Sequence, residues 1–320
     1  MSFRKPKVIS LFAGGGGSSL GYKMAGYDEL LAIDFDKNSC DTLKLNFDFP
    51  IWEKNIYEVK GKDILDFCKI KKGDLDILDG SPPCQGFSMS GKRIITDTRN
   101  NLFLEYIRIL KELSPKVFVM ENVKGMVTGR MGGIFNKIIE MLNNCDYQVK
   151  CKLMNAVFYN VPQSRERLIF IGVRKDLNLE PSFPSPNKNF INIKTALQGV
   201  NNKTFGKPLT PNFLKLWKQL SIGECGNKYR GKNSYFNWFK VNSILPSRTV
   251  TKKTTGCLLH WKEPRYFTIE ECKRLCSFPD DYKLIGSYSS QWARLGNSVM
   301  PNFMKAIAEN IKLNILDKIN

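Results

Sequence analysis

The stretch Val8-Ile9-Ser10-Leu11-Phe12-Ala13-Gly14-Gly15-Gly16-Gly17-Ser18 decides the fold. A short apolar run ends in glycines, and Ser18–Ala25 then reads as a helix start. Strand, glycine turn and helix open a βαβ unit. Leu30–Ile33 is a second apolar run ending at Asp34, with a helical pattern to about Leu45. Leu75–Leu78 ends at Asp79-Gly80, Leu102–Leu113 is an amphipathic helix, and Val117–Met120 is a strand ending at Glu121-Asn122. Ile134–Leu142 reads as a helix, Tyr147–Leu153 as a strand and Leu168–Val173 as a buried strand. This alternation predicts an α/β fold, a doubly wound, mostly parallel sheet covered on both faces. Ligands of such sheets gather at the carboxyl ends of the strands. Gly14–Gly17, Asp34, Ser81–Gln85 and Glu121 all stand there.

The alternation stops near Arg174. Residues 181–262 scatter Pro, Asn and Lys among aromatics and keep no long period, so they read as a smaller, irregular module. Thr268–Cys276 is helical again. A last helix, Pro301–Leu313, starts on a proline, whose missing amide hydrogen costs nothing there.

The charge follows the same division. The 320 residues carry a net charge of +19. Residues 1–150 hold 22 basic and 19 acidic side chains, a net of +3, while 181–262 hold 14 basic residues and one acid, Glu224, a net of +13. Such a block repels itself unless it meets a polyanion; a solvated basic surface is the plainer alternative. The single histidine, His260, and nine cysteines without a CxxC pair leave no zinc pattern. An opening without a signal peptide and an odd cysteine count point to a reducing cytoplasm and free thiols. No run approaches the ~18 apolar residues of a membrane span.

Taken singly, the candidate sites are ambiguous. The glycine run lacks the Gly-Lys-Ser/Thr of a P-loop, and Ser19 occupies the last glycine position of GxGxxG. It suits either a turn or a nucleotide-like cofactor. Asp34, about 20 residues further on, favours the cofactor, because a carboxylate there can accept both ribose hydroxyls. In Ser81-Pro82-Pro83-Cys84-Gln85-Gly86-Phe87-Ser88, two prolines stiffen the backbone before a thiol at the cofactor edge of the sheet. Glu121 is either a solvated cap or, beside that thiol, a general acid. Alternation across Gln163-Ser164-Arg165-Glu166-Arg167 points Gln163, Arg165 and Arg167 to one face, which suits a carbonyl or anionic substrate as well as a surface ion pair.

Together these segments carry a resemblance. Phe12-Ala13-Gly14-x-Gly16-Gly17, Ser81-Pro82-Pro83-Cys84-Gln85, Glu121-Asn122-Val123, Gln163-x-Arg165-x-Arg167 and Gly296-Asn297-Ser298-Val299 follow the order of motifs in the DNA cytosine-5 methyltransferase family. Pro264–Glu270 through Phe278-Pro279-Asp280-Asp281 resembles that family too, and only residues 174–245 are unmatched, where it places its variable target-recognition region. The resemblance implies a Rossmann-like fold that binds S-adenosylmethionine and releases S-adenosylhomocysteine, without a metal. It implies a catalytic domain of residues 1–180 plus 288–320 and a target-recognition domain of residues 181–287.

It also implies roles. Cys84 adds to carbon 6 of the cytosine, Glu121 holds or protonates N3, Arg167 sits near the cytosine carbonyl with Arg165 in support, and Asn122 is structural. Phe12, Ala13, Gly14, Gly15 and Gly17 shape the cofactor pocket. Asp34 takes the ribose and Phe35 replaces an adenine-stacking residue. Asn55-Ile56 falls where the family often has Asp-Ile, and Pro83, Leu102, Asn297 and Ser298 complete the set. The partner is double-stranded DNA, with the target base flipped out. Gln85, Ser88, Ser90, Lys92 and Arg93 on the loop, with Gln163, Arg230, Lys232, Arg248, Lys252 and Lys253, are the candidate DNA contacts. Pro246-Ser247-Arg248-Thr249-Val250 is similar to the family's Arg-Thr scaffold. By analogy the chain is a monomer in a bacterial cytoplasm, at the nucleoid, with a companion restriction endonuclease. Three rivals are weighed. An RNA cytosine-5 methyltransferase would carry a Cys-Phe-Thr signature that is absent here, and a silent DNA-binding protein would not need Cys84, Glu121 and Arg167. A cysteine hydrolase would pair Cys84 with His260.

Overall fold

Five-residue Lys7–Leu11 (β1) is buried along nearly its whole length, with Val8 and Ile9 wholly so. A strand covered on both faces is what a central parallel sheet requires. The computed structural model describes residues 4–83, 101–126, 132–201, 207–229, 238–253 and 258–319. They fold as two compact units, residues 1–154 with 166–185 and 304–320, and residues 155–165 with 186–303.

The first unit is built on a seven-stranded sheet. After β1 come α1 (Gly17–Met24), β2 (Asp28–Asp34), α2 (Lys37–Lys44), β3 (Ile51–Glu53), α3 (Gly61–Cys68), β4 (Ile77–Gly80), α4 (Asn101–Leu113), β5 (Val117–Val123), α5 (Gly132–Asn143), β6 (Tyr147–Asn155) and β7 (Glu166–Arg174). The spatial order is β3-β2-β1-β4-β5-β7-β6. The pairs β2–β3, β1–β2, β1–β4 and β4–β5 are parallel, and β5–β7 is antiparallel. The order reverses between β1 and β4, which makes their carboxyl ends the switch point of the sheet. The α/β, doubly wound, Rossmann-like class expected from the sequence is therefore the fold observed.

Ile9, Leu31, Leu78, Phe103, Tyr106, Phe118 and Phe170 form the middle of the core, and burying each such side chain contributes roughly 1.5–3 kcal/mol. The closing helix, α10 (Pro301–Asn314), brings residues 304–320 back to this unit, where Tyr27 Oη donates to the Ala308 carbonyl at 2.9 Å.

The second unit contains α6 (Ile193–Ala196), α7 (Pro211–Gln219), β8 (Phe239–Lys240), β9 (Leu258–Leu259), α8 (Ile269–Leu275) and α9 (Tyr288–Asn297). Helix α7 corrects the expectation that no periodicity survives in 181–262. Pro211 starts it, and Phe213, Leu216, Trp217 and Leu220 fall at helical spacing on Trp238, Leu259 and Tyr266. This small cluster is the module's own core. Short β3 and α3 in the first unit were also not foreseen, being too brief to print a period. Among the described residues no helix is long and apolar enough to cross a membrane.

Candidate active site

The turn after β1 needs left-handed backbone. Phe12, Gly14 and Gly16 have φ of 54°, 54° and 78°, which glycine adopts at little cost and Phe12 does not. Three hydrogen bonds hold it: Ala13 N–H donates to Ile33 O at 3.1 Å, Gly16 N–H to Ala13 O at 3.1 Å and Gly14 N–H to Asp34 Oδ2 at 2.7 Å. The second carboxylate oxygen of Asp34 accepts from Asp36 N–H at 2.8 Å. Burial raises the Asp34 carboxyl above the usual carboxylate range, against these backbone donors. Beside it the Phe35 ring is 74 % exposed, an apolar face that its own unit leaves uncovered.

Asn55 Oδ1 caps the next turn by accepting from Tyr57 N–H at 3.4 Å, and Ile56 is buried beneath it. Arg108, on α4, holds this turn: Nη2 donates to Val59 O at 2.7 Å and Ile56 O at 3.2 Å. Glu105 and Glu112 flank the same guanidinium and hold it in place. Leu102, on the same helix, packs half-buried against the core.

Between β4 and β5, Asn122 Nδ2 donates to Pro82 O at 3.1 Å, which ties the end of β5 to the segment leading into Cys84. Pro82 is buried and Pro83 exposed. Glu121 and Arg167 meet across the antiparallel β5–β7 pair, where Glu121 faces Ile169 and Val123 faces Arg167. Arg167 Nε stands 2.7 Å from Glu121 Oε1, with side chains 14 % and 9 % exposed. The Nε–H is not aimed along that line, so the contact is ionic rather than an aligned hydrogen bond. Arg167 Nη1 donates to Glu166 O at 2.8 Å. A dry, fixed cation beside a carboxylate is a suitable partner for a ring carrying a carbonyl next to a protonatable nitrogen.

In the second unit, Gln163 and Arg165 turn inward. Gln163 is fully buried; its Nε2 donates to Leu275 O at 3.2 Å and its Oε1 accepts from Val250 N–H at 3.0 Å. Arg165 donates to Val250 O at 3.1 Å, Gly296 O at 2.9 Å and Ser298 O at 3.0 Å. The expectation that Gln163 touches DNA is corrected: a wholly buried amide with both ends engaged has nothing left to offer a duplex. Gly296 permits this fit, because any Cβ there would overlap the Thr251 carbonyl. Ser298 is buried, its hydroxyl donating to Arg294 O at 2.7 Å, while Asn297 is exposed at the end of α9. Arg248 is exposed with its guanidinium 4.3 Å from the Phe239 ring, and Lys252 and Lys253 are exposed. His260 is buried against Trp261 and Phe267, and its Nδ1 accepts from Glu263 N–H at 3.0 Å. Burial pushes this imidazole down to about 4, so it serves the module's packing and is no general base for a hydrolase.

Comparison with known proteins settles the family. The profile of the C-5 cytosine-specific DNA methylases matches residues 6–313. The chain belongs to that family. It is 33% identical to Type II methyltransferase M1.HphI of Haemophilus parahaemolyticus, over 96% of this chain and 87% of that one. It is 31% identical to M.FnuDI of Fusobacterium nucleatum, over 98% and 96%. Among solved structures, a candidate DNA modification methyltransferase of an E. coli prophage superposes with a TM-score of 0.82 at 24% identity, over 98% of this chain and 100% of that one. The Dnmt2 methyltransferase of S. pombe gives 0.71 at 20%, over 98% and 99%. This protein is thus a cytosine-5 DNA methyltransferase dependent on S-adenosylmethionine.

The methyltransferase's own residues suit that cofactor. The left-handed glycine turn is open, since a Cβ on Gly14 would meet nothing nearer than the Phe12 carbonyl at 4.0 Å. The Asp34 carboxylate and the exposed Phe35 ring stand at the same sheet edge, where a ribose and an adenine would fit. Arg108 is a residue that sequence reading missed. Its signal was a lone arginine between two glutamates on an amphipathic helix, which reads as a surface ion-pair ladder. Cys84, Gln85, Ser88, Ser90, Lys92, Arg93, Arg230 and Lys232 lie outside the described residues. Among the described residues no cluster of His, Cys, Asp and Glu could hold a metal.

Proposed function

We propose that this methyltransferase modifies carbon 5 of one cytosine within a specific duplex sequence, as the modification enzyme of a restriction–modification system. The relatives named as Type II methyltransferases support that role. The observation that carries the chemistry is the Glu121–Arg167 pair at the end of β5, where the adjoining Asn122 holds the Pro82 carbonyl that precedes Cys84.

Bound S-adenosylmethionine supplies an electrophilic methyl on a sulfonium. Phe12, Ala13, Gly14, Gly15, Gly17, Asp34, Phe35, Asn55, Ile56, Pro83, Leu102, Asn297 and Ser298 would hold it. The chain's part begins with the target base out of the stack, a rearrangement costing a few kcal/mol. Cys84 gives up its proton to solvent and its sulfur bonds to C6, which moves the C5–C6 electron pair toward N3. Glu121 protonates N3 as charge grows there, while Arg167 holds the carbonyl oxygen and Arg165 is the supporting position. As C5 takes the methyl the N3 proton returns to Glu121; a base then takes the C5 proton, the C6–S bond breaks, and Cys84 leaves as thiolate. Covalent catalysis of this kind divides one hard step into easier ones.

Residues 181–287 form the recognition module in this reading, and 1–180 with 288–320 the catalytic one. Arg230, Lys232, Arg248, Lys252 and Lys253 neutralise phosphates, a sequence-independent contribution that positions the enzyme. Gln85, Ser88, Ser90, Lys92 and Arg93 are further DNA contacts in this reading. The protein works as a monomer in the bacterial cytoplasm, on the nucleoid, beside a companion endonuclease. Bisulfite sequencing of DNA from cells expressing the protein tests this. Conversion-resistant cytosines at one short recurring sequence are expected; resistance without sequence context, or none on DNA with methyl transfer to RNA instead, overturns it.

A further inference from the structure

Asp79 is a carboxylate that the reaction does not use. It is 3% exposed, one residue before the end of β4, with Ser10 of β1 on one side and Val119 of β5 on the other. A buried carboxyl is costly unless its site is built to receive it. Here Tyr22 Oη, on α1, donates to Asp79 Oδ1 at 3.3 Å, and the Ser18 hydroxyl of the same helix and the Gly80 amide favour its ionised form. Helix α1 begins at Gly17, so its first turn continues the Gly14–Gly17 loop. Strand β4 runs on into Ser81-Pro82-Pro83-Cys84.

We propose that Asp79 is a positioning residue: through Tyr22 and Ser18 it fixes the cofactor loop at the head of α1 to the strand that delivers Cys84. The cofactor loop and β4 would then keep a set separation, the geometric condition for rapid group transfer. This rests on the reading that the glycine loop holds S-adenosylmethionine and that Cys84 attacks the base. The brace is also titratable. Burial lifts the Asp79 carboxyl to about 7, and the Glu121 carboxylate of β5 adds to the rise. The other ionisable groups around it are Tyr22 of α1, Glu29 of β2 and Tyr106 of α4. Tyr22 donates more strongly to the ionised carboxylate than to the acid, so the loop is held more firmly as pH rises through that value.

The test measures binding of S-adenosylhomocysteine by calorimetry, alongside cofactor KM and kcat, in the full chain. Asp79→Leu should weaken binding about tenfold and Tyr22→Phe about threefold, with duplex affinity unchanged. From about pH 6 to about pH 8.5 the wild-type affinity should rise about threefold, whereas Asp79→Asn, which keeps the acceptor but not the charge, should match the wild type at the lower pH and stay flat. Wild-type cofactor affinity in Tyr22→Phe, or a pH profile in Asp79→Asn that follows the wild type, overturns the proposal. A wild-type chain that binds no S-adenosylhomocysteine sinks the methyl-transfer reading instead. Because the asparagine variant is isosteric, the outcome stands even if the leucine variant fails to fold.

Discussion

In the sheet-bearing unit the buried charged residues are Glu29, Asp76, Asp79 and Glu121, whereas the second unit buries Arg165, Lys240, His260, Lys273 and Arg294 with one acid, Glu271, among the described residues. The difference follows from backbone regularity. In a seven-stranded sheet the carbonyls are paired by neighbouring strands. What remains are amide donors at turns and termini, and carboxylates take them: Gly14 N–H on Asp34, Lys7 N–H on Asp76. Among the described residues the second unit has one two-residue strand pair, so many carbonyls lack a ladder partner. Cations supply the donors. Arg165 staples Val250, Gly296 and Ser298; Lys240 Nζ donates to Leu220 O at 3.1 Å while lying 3.7 Å from the Trp217 ring; Lys273 donates to Asp280 O and Tyr282 O. Part of the positive charge of the second unit therefore holds its own backbone and is not available to a polyanion.

The sharpest way to break this contrast is to separate chemistry from binding. Cys84→Ala should lower methyl transfer at least ~10³-fold while duplex affinity stays within about threefold, because the phosphate-neutralising groups lie elsewhere. Radiolabelled methyl transfer and filter binding on one preparation check it, and parallel losses in both assays would refute the separation. Glu121→Gln should cost ~10²–10⁴ in kcat with little change in stability, the usual range for a positioned proton donor.

The two arginines of Gln163–Arg167 should then behave oppositely. Arg165→Ala strands three buried carbonyls, so a loss on the order of 3–5 kcal/mol is expected in denaturant titration. Arg167→Ala leaves one carboxylate, Glu121, without its ion-pair partner, so its midpoint should fall less than that of Arg165→Ala while activity is lost. Equal midpoints for both variants would contradict the staple role of Arg165.

A smaller effect concerns pH. Burial lifts Glu29 to about 8 and Asp79 to about 7, so the folded state holds these protons more tightly than the unfolded chain does. Their contribution is complete below the ordinary carboxylate range and is lost as pH rises through 7 and 8. His260, pushed down to about 4, has the other sign: its contribution is present above the usual histidine value and is lost as pH falls. Melting curves across pH should show Glu29→Gln and Asp79→Asn removing much of the alkaline decline, with the acid side unchanged. Last, Lys252→Gln and Lys253→Gln should each reduce the log–log salt slope of duplex binding by up to ~0.9, while Lys240→Met should leave the slope intact and lower the melting temperature.

The centre of the sheet was legible in the sequence because its strands there are buried apolar runs bounded by turn residues, as in Val8–Leu11 and Leu168–Val173. Asp34 and Glu121 were legible for a related reason: a carboxylate ending such a run has few structural purposes. The second unit was not. Its organisation rests on single side-chain contacts, such as the bidentate Arg265–Glu271 pair at 2.8 and 2.9 Å and the long-range bonds of Arg165 to three carbonyls, which leave no period. The net charge of 181–262 pointed to a polyanion but could not distinguish Lys240, buried on Trp217, from exposed Lys252 and Lys253. Gln163 and Arg165 looked like a substrate-facing row because alternation gives the face and not what covers it.

In the proposed mechanism the Glu121–Arg167 edge of the sheet acts with Cys84 to methylate carbon 5 of cytosine in duplex DNA. Its most direct test is the identity of the product. Duplex DNA incubated with the purified protein and labelled S-adenosylmethionine, then digested to nucleosides and resolved by mass spectrometry, should yield labelled 5-methyl-deoxycytidine, and none with Cys84→Ala. Label in an N-methylated base, or undiminished 5-methyl-deoxycytidine from Cys84→Ala, would contradict the account.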